Sequence, residues 1–441
     1  KDASAAAIYG SKAANGVLIV TTKNPKHQKH SISYSSSFSI DNPNKLPKKQ
    51  SEYTQGRPVN GTPLWNKESE SFSWGPSVSS VNAPTYDAFD ILETGYTIKN
   101  HLTLTRRNDD IHYTLKLGNN TQQGFIPKSK LNETSFGLKV GGQWSKKLKF
   151  DIDLNYKNTN GKRLQHGYNM SGFMQGILLS PPTFDNRKTT LADGSQNTAG
   201  TASDNPYWTT ESNPFKDETN RFVGNANFSY KLFDYLTLGY AINGDYMTGE
   251  ASTALNKSSV YIPTGHIMNR DEKFKALQSK FTAQFDKNFN NIEVNAMAGH
   301  EYNNTKRSIN RIDGYDLVEA GDYNIINAIT INPYNQLFSR HSNAVFGKAG
   351  ANYRRKFMLE AAMRSEWSSI SDKTLFSPSL GIATNLREMF YSELFSNIRI
   401  SANISKADKE IPLYVDPVYF NSAIYNLNDG AQHFESREII V

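Results

Sequence analysis

From Ser31 onward the chain alternates with a period of two. Leu148, Phe150, Ile152, Leu154 and Tyr156 interleave with Lys149, Asp151, Asp153, Asn155 and Lys157. One face of that segment is apolar and aromatic, the other charged or amide, which predicts a β-strand between two different surroundings. Phe222, Gly224, Ala226, Phe228, Tyr230 and Leu232 repeat the habit, then Leu236, Leu238, Tyr240 and Ile242. So do Ile292, Val294, Ala296 and Ala298; Phe357, Leu359, Ala361 and Met363; and Ile398, Ile400, Ala402 and Ile404. The pattern predicts about thirteen strands, many of about ten residues or longer. Strands of soluble globular proteins usually have five or six residues, whereas about nine to eleven cross a bilayer at a tilt.

The predicted connections alternate as well. Tight polar turns fall near Asn108-Asp109-Asp110, Ser145-Lys146-Lys147, Phe233-Asp234-Tyr235, Asn288-Phe289-Asn290-Asn291 and Arg354-Arg355-Lys356. Between them stand long excursions at 41–97, 164–219, 248–274 and 309–340, and shorter ones near 121–132 and 370–376. Short turns at one end and long loops at the other are the habit of outer-membrane barrels, because lipid requires every backbone group to be paired around a closed ring. A soluble β-sandwich or β-helix would also alternate, but with shorter strands.

The first residues follow another rule. Asp2 to Ala14 is alanine-rich and suits a short helix. Asn15-Gly16 is a stop signal, and Val17 to Thr22 reads as a buried strand ended by Asn24-Pro25. Residue 1 is Lys, and Glu435 to Val441 reads as a strand beginning, so an internal stretch of a longer chain is expected.

Composition narrows the function classes. Among 441 residues, Lys+Arg 49 against Asp+Glu 42 leaves a net charge of +7, without a long basic block, which gives nucleic-acid binding little support. Mean hydropathy is −0.60, and no apolar run reaches the roughly 18 residues of a membrane helix. Tyr 23 and Phe 24 argue against disorder. The absence of Cys removes disulfide scaffolds, thiolate metal sites and thiol nucleophiles.

Lys1-Asp2-Ala3-Ser4-Ala5-Ala6-Ala7-Ile8-Tyr9-Gly10-Ser11-Lys12-Ala13-Ala14-Asn15-Gly16-Val17-Leu18-Ile19-Val20-Thr21-Thr22-Lys23 resembles, nearly letter for letter, the end of the plug domain in SusC/RagA-family TonB-dependent transporters. Asp2, Ala3, Ser4, Ala5, Ile8, Tyr9, Gly10, Ala13, Asn15 and Gly16 carry that plug-tail motif. Weaker likenesses keep the family's order. They are Ser73-Trp74-Gly75-Pro76, Gln123-Gly124-Phe125-Ile126, the strand Phe357 to Glu366, and Phe376-Ser377-Pro378-Ser379-Leu380-Gly381. Glu366-Trp367 stands where the family usually has Asp-Gly.

The resemblance implies an all-β protein: a transmembrane antiparallel β-barrel of roughly 22 strands with a plugged lumen. About thirteen of those strands would be present here, preceded by the C-terminal tail of the plug. Residues 1–25 would end the plug domain, and 26–441 would form a partial barrel with long extracellular loops. It implies import of oligosaccharides or peptides across the bacterial outer membrane. The implied partners are TonB, through an N-terminal segment absent from this sequence, a SusD-like surface lipoprotein, and outer-membrane lipid. No cofactor is implied. A non-transporting adhesin barrel and a secreted β-rich hydrolase are the alternatives.

Catalytic and metal signals are weak. The sequence holds no His-Glu-x-x-His motif and no nucleophile elbow, and Gly10-Ser11-Lys12 has the wrong order for a phosphate loop. Asp151-Ile152-Asp153-Leu154-Asn155 imitates a calcium loop but continues with Tyr156 where Gly is required. Neither an enzyme nor a metal site is expected. Trp65, Trp74, Tyr207 and Trp208 lie in the long loops and are candidates for cargo contact, since a flat ring with a polar edge stacks on a sugar face.

Overall fold

Side chains of alternating character expose each strand to two solvents, and such strands can be satisfied only edge to edge. The computed structural model has that arrangement. It describes Gly10, Leu18 and residues 30–65, 71–108, 110–164, 172–386 and 398–408, with the backbone of 420–427 and 430–437.

Thirteen strands pair in simple sequence order, all antiparallel. They are β1 (His30–Asp41), β2 (Gly95–Arg107), β3 (Ile111–Gln123), β4 (Lys130–Gln143), β5 (Leu148–Arg163), β6 (Phe215–Phe233), β7 (Leu236–Leu255), β8 (His266–Phe289), β9 (Ile292–Leu317), β10 (Ala328–Tyr353), β11 (Phe357–Ser368), β12 (Ser371–Asn385) and β13 (Arg399–Ser405). The sheet is an open arc in which β1 and β13 each pair on one side. A separate hairpin, Phe420–Leu427 with Gly430–Arg437, follows.

The register explains the outward face. Tyr34 stands opposite Leu102, Leu102 opposite Leu117, Leu117 opposite Phe136, Phe136 opposite Tyr156, Tyr156 opposite Phe222, and Phe222 opposite Tyr246. One continuous row of apolar rings and leucines therefore crosses seven strands. Tyr34, Leu117, Phe136, Tyr156, Phe222 and Tyr246 are all exposed. A water-facing surface rarely presents so large a contiguous apolar area; lipid is the solvent that accepts it. No helix among the described residues is long and apolar enough to cross a membrane.

The short turns close one end. Phe233 pairs with Leu236 and Phe289 with Ile292, and Asn290 takes the positive φ of 50° that a two-residue hairpin demands. Aromatic rings gather at this end. Phe233 stacks on Tyr235 at 5.5 Å, Tyr235 meets Phe285 edge-on at 5.6 Å, and Trp144 meets Phe150 at 6.1 Å. This is the interfacial girdle of a membrane barrel.

The other end departs from expectation. Segments 248–274 and 309–340 were expected to be loops, yet β7 continues to Leu255, β8 begins at His266, β9 continues to Leu317 and β10 begins at Ala328. Likewise only Ser369 and Ile370 separate β11 from β12. β9 and β10 have 26 residues each, roughly 85 Å at about 3.3 Å per residue, far more than a bilayer requires. Beyond the lipid both faces are wet, so the outward positions turn polar and the apolar half of the alternation disappears. Residues 42–94 and 164–214 remain long connections at this end.

Candidate functional site

Two regions concentrate organised side chains: a layer built by the long connections over the outer end of the arc, and a group of charges on its inner wall.

The layer begins with a small ladder. Gly56 N donates to Phe72 O at 2.8 Å, Trp74 N to Gly56 O at 2.9 Å, Gly75 N to Thr54 O at 3.0 Å and Thr54 N to Pro76 O at 2.9 Å. Gly75 is needed there, because a Cβ at this position would collide with Thr54 Oγ1 and stand 2.8 Å from the Gln55 carbonyl. The Trp-Gly-Pro element thereby fixes Trp74 on a rigid platform, with its ring 64% exposed.

Two short helices form the middle of the layer, α1 (Phe173–Leu179) and α2 (Pro206–Ser212). The Asn205 side chain caps α2 by accepting from Tyr207 N and Trp208 N, and Pro206 supplies a preset φ at its start. Phe173 and Ile177 of α1 bury against Ala88, Ile91 and Leu164, with Ile126 and Tyr207 packed at the edge. Ile126 belongs to the Gly124-containing connection, so that element ties β3 and β4 to the layer. Lys49 Nζ donates to the carbonyls of Ile177 and Ser180 at 2.6 Å each, holding the C-terminal turn of α1. Burial brings the Lys49 pKa down to about 8, against a smaller opposing pull from Asp87.

Asp204 is the polar hub. Its carboxylate accepts from Ser259 Oγ at 2.7 Å, Val260 N at 2.6 Å, Gln196 Nε2 at 3.0 Å and Asn213 Nδ2 at 3.3 Å. It thus links the 164–214 connection to the 256–265 connection. Burial raises its pKa, and the four donors partly offset the rise.

A cavity of about 380 Å³ opens at the C-terminal end of α1, lined by Lys49, Gln50, Ser51, Tyr86, Asp87 and Ser180 among others. At its side the Arg187 guanidinium lies 5.2 Å from the centre of the Tyr86 ring, and Arg187 Nε donates to Asp185 Oδ1 at 2.8 Å.

The four loop aromatics part company in this layer. Trp74 is exposed on its platform; Trp65 is half-buried nearby in sequence. Tyr207 is half-buried and donates its hydroxyl to Asp90 Oδ1 at 2.8 Å; burial, with help from Asp90, raises its pKa. Trp208 is 4% exposed, so its ring serves packing rather than a wet surface in this conformation.

On the inner wall, Lys139 pairs with Asp151 at 3.7 Å, and Asn155 Nδ2 donates to Asp153 Oδ1 at 2.6 Å. Asp151 and Asp153 therefore line a strand and do not belong to a cation-binding loop. Farther round, on β8 to β11, lies a denser group. Arg364 Nε donates to Glu366 Oε2 at 3.1 Å, and its Nη2 lies 3.4 Å from Glu301 Oε1. Glu301 also accepts from Asn303 Nδ2 at 2.9 Å and Gln278 Nε2 at 3.2 Å. Arg340 Nη2 stands 3.7 Å from Glu366 Oε1. Phe346 takes Lys280 on its ring at 4.9 Å and Arg364 at 5.6 Å. The sequence likeness at Phe357 to Glu366 had marked this strand without assigning a role to its charges. The signal available was Arg and Glu two apart on an inward face.

Of the plug-tail motif, Gly10 is described; Asp2, Ala3, Ser4, Ala5, Ile8, Tyr9, Ala13, Asn15 and Gly16 lie outside the described residues. Leu18, expected inside a buried strand, is 89% exposed.

No protein-family profile matches the chain. A TonB-dependent receptor of Formosa agariphila is 24% identical over 442 residues, which is 95% of this chain and 43% of that protein. The TonB-dependent receptor SusC of Bacteroides thetaiotaomicron is 27% identical over 285 residues, 59% of this chain and 27% of that protein. The solved RagAB peptide transporter shares the fold, with a TM-score of 0.72 at 17% identity over 99% of this chain and 53% of that one. The chain thus spans less than half the length of these curated relatives.

Lipid-facing rows and a polar inner wall define the wall of a β-barrel of the bacterial outer membrane. Its likenesses are to TonB-dependent receptors, and among them to SusC and to the RagAB transporter.

Proposed function

We propose that this chain supplies barrel wall and outer loop layer to an importer of nutrients across the outer membrane, driven through TonB. The observation that carries this is the pairing of opposite faces on the same strands. The apolar row from Tyr34 to Tyr246 commits the protein to lipid, while the polar inner wall provides a wet passage beneath an organised outer layer. A passage so lined transports rather than catalyses, and the relatives bear the name of receptors.

The cargo belongs to oligosaccharides or peptides, and a SusD-like lipoprotein covers the outer layer. The likeness to the RagAB peptide transporter supports the peptide branch. Trp74 is the first surface such cargo meets, with Trp65 and the Asp90-linked Tyr207 behind it; Trp208 holds the layer together from inside.

Deleting the gene tests the reading. Growth on one polymer, glycan or peptide, should be lost and restored by the full-length gene. Unimpaired growth on every glycan and peptide tested would refute nutrient import.

A further inference from the structure

The cavity at the C-terminal end of α1 has a volume of about 380 Å³, within the range of a small-molecule site. It is cut into the outer loop layer, and its lining is mixed. Phe89 and Pro182 supply apolar wall, while Lys49, Ser51, Thr85 and Asp87 supply hydrogen-bonding and charged groups.

Lys49 is the unusual member. Its Nζ donates to the carbonyls of Ile177 and Ser180. Those bonds fix the ammonium at the end of α1 but offset its charge only in part, since a carbonyl bears a partial charge. Among the described residues no carboxylate stands within ion-pair reach of it. Asp87 pulls on it from a distance across the cavity, and burial outweighs that pull, bringing its pKa down to about 8. The other charges here are engaged. Arg187 Nε donates to Asp185 Oδ1 and its guanidinium lies on the Tyr86 ring, while Asp87 Oδ1 accepts from Phe89 N at 2.9 Å. A partly buried cation without an anion carries a desolvation cost that an arriving anion offsets. Ser51 and Thr85 add hydroxyls that make no hydrogen bond among the described residues.

We propose that this cavity is a binding site for a carboxylate carried by the cargo, with Lys49 as its cation and the Ser51 and Thr85 hydroxyls as donors beside it. The proposal rests on the reading of the loop layer as the surface that cargo meets, and it narrows that cargo to molecules bearing an acid group. A uronic acid unit of an oligosaccharide and a glutamate side chain of a peptide both present that group. Asp87 opposes an anion from the same cavity, so the acid group is held to the Lys49 side.

The test measures binding by isothermal titration calorimetry to the full-length protein in lipid nanodiscs, at about pH 6, where the Lys49 ammonium is charged. Two matched pairs serve as probes: trigalacturonate with its methyl ester, and an end-blocked pentapeptide bearing a central glutamate with its glutamine counterpart. The acid of at least one pair should bind about tenfold more tightly than its neutral partner. The pair that shows the preference identifies the source of the carboxylate. Lys49→Met should abolish the preference. Asp87→Asn should enlarge it severalfold, because it removes the opposing charge while an amide oxygen still accepts from Phe89 N. A lysine that served only to tie α1 would leave the preference unmoved by Asp87→Asn. Equal binding of acid and neutral members in both pairs, no binding of any probe, or an unchanged preference in Asp87→Asn would overturn the site. If Lys49→Met loosens the layer, Asp87→Asn decides alone, since it leaves the bonds to Ile177 and Ser180 in place. Loss of growth in the deletion test does not depend on these titrations, so nutrient import can stand while the carboxylate site falls.

Discussion

A single arginine placed on either side of β5 separates the lipid-facing account of this sheet from any soluble one. The apolar stripe of β5 runs Leu148, Phe150, Ile152, Leu154, Tyr156, with Ile152 at its centre. Eight steps of about 3.3 Å give roughly 26 Å along the strand, or about 20 Å across the bilayer at a tilt of about 40°. Ile152 therefore sits near the midplane, flanked across the ladder by Val140 and Ala226, neither of which can pair with a cation. Arginine at the midplane of such a barrel costs about 2–4 kcal/mol, equivalent to roughly 30- to 700-fold in the folding equilibrium. Asn155, three residues on, faces the opposite side and touches Asp153, so an arginine there gains a carboxylate neighbour. The assay is urea titration of the full-length protein folded into phospholipid vesicles, read by heat-modifiable migration. Ile152→Arg should lose about 2–4 kcal/mol, while Asn155→Arg should lose under about 1 kcal/mol. Equal losses, or a larger loss at Asn155, would mean that the apolar stripe does not face hydrocarbon.

The loop layer gives the remaining predictions. Asp204→Ala strands the donors of Ser259, Val260 and Gln196, at a local cost of about 1–3 kcal/mol. Hydrogen exchange should speed up in 193–214 and 256–265 with barrel stability unchanged; unaltered protection there would refute the hub. The folded pKa of Asp204 is raised, so its proton favours the packed layer. Protection, corrected for intrinsic exchange, should therefore rise as pH falls from neutrality through the folded value toward the ordinary carboxylate range, and Asp204→Asn should abolish that trend. Trp74→Ala should weaken cargo binding about tenfold without changing barrel stability, since the ring is exposed, a loss of about 1.4 kcal/mol. Gly75→Ala should weaken binding by a similar factor, because its Cβ would push the platform off Thr54 and Gln55. Unchanged affinity in both would remove Trp74 from the binding surface.

What could be read from the chain followed the lipid. Strands were legible wherever hydrocarbon imposes an apolar position at every second residue, as along Leu148 to Tyr156, and the short turns were legible because polar pairs such as Asn290-Asn291 interrupt that rhythm. The outer halves of β7 to β10 were not, since around Arg270, Glu272, Arg307 and Arg311 both faces meet water and the alternation carries no contrast. Trp74 and Trp208 are alike as letters. One stands on a ladder edge and the other on the buried side of α2, and only the packing of 42–94 against 164–214 distinguishes them. The Arg364–Glu366 pair lay in a recognised segment, but Gly10 stands close against it, and no local pattern in β11 records a neighbour from the other end of the chain.

The distribution of apolar residues has a mechanical consequence. Nearly all the large hydrophobic side chains of the sheet are spent on the outward face, leaving only two small buried apolar clusters among the described residues. One lies around Phe173 and Ile177, the other around Ile267 and Leu317. Cohesion elsewhere falls to satisfied polar groups: Asp204 between two connections, Lys49 on the end of α1, Glu301 and Arg364 on the wall. Such contacts exchange with water at little net cost when each side is hydrated again, whereas the strand ladders cannot open without exposing backbone to lipid. The outer layer is therefore the part able to move, and the paired strands are the frame that stays fixed while it does.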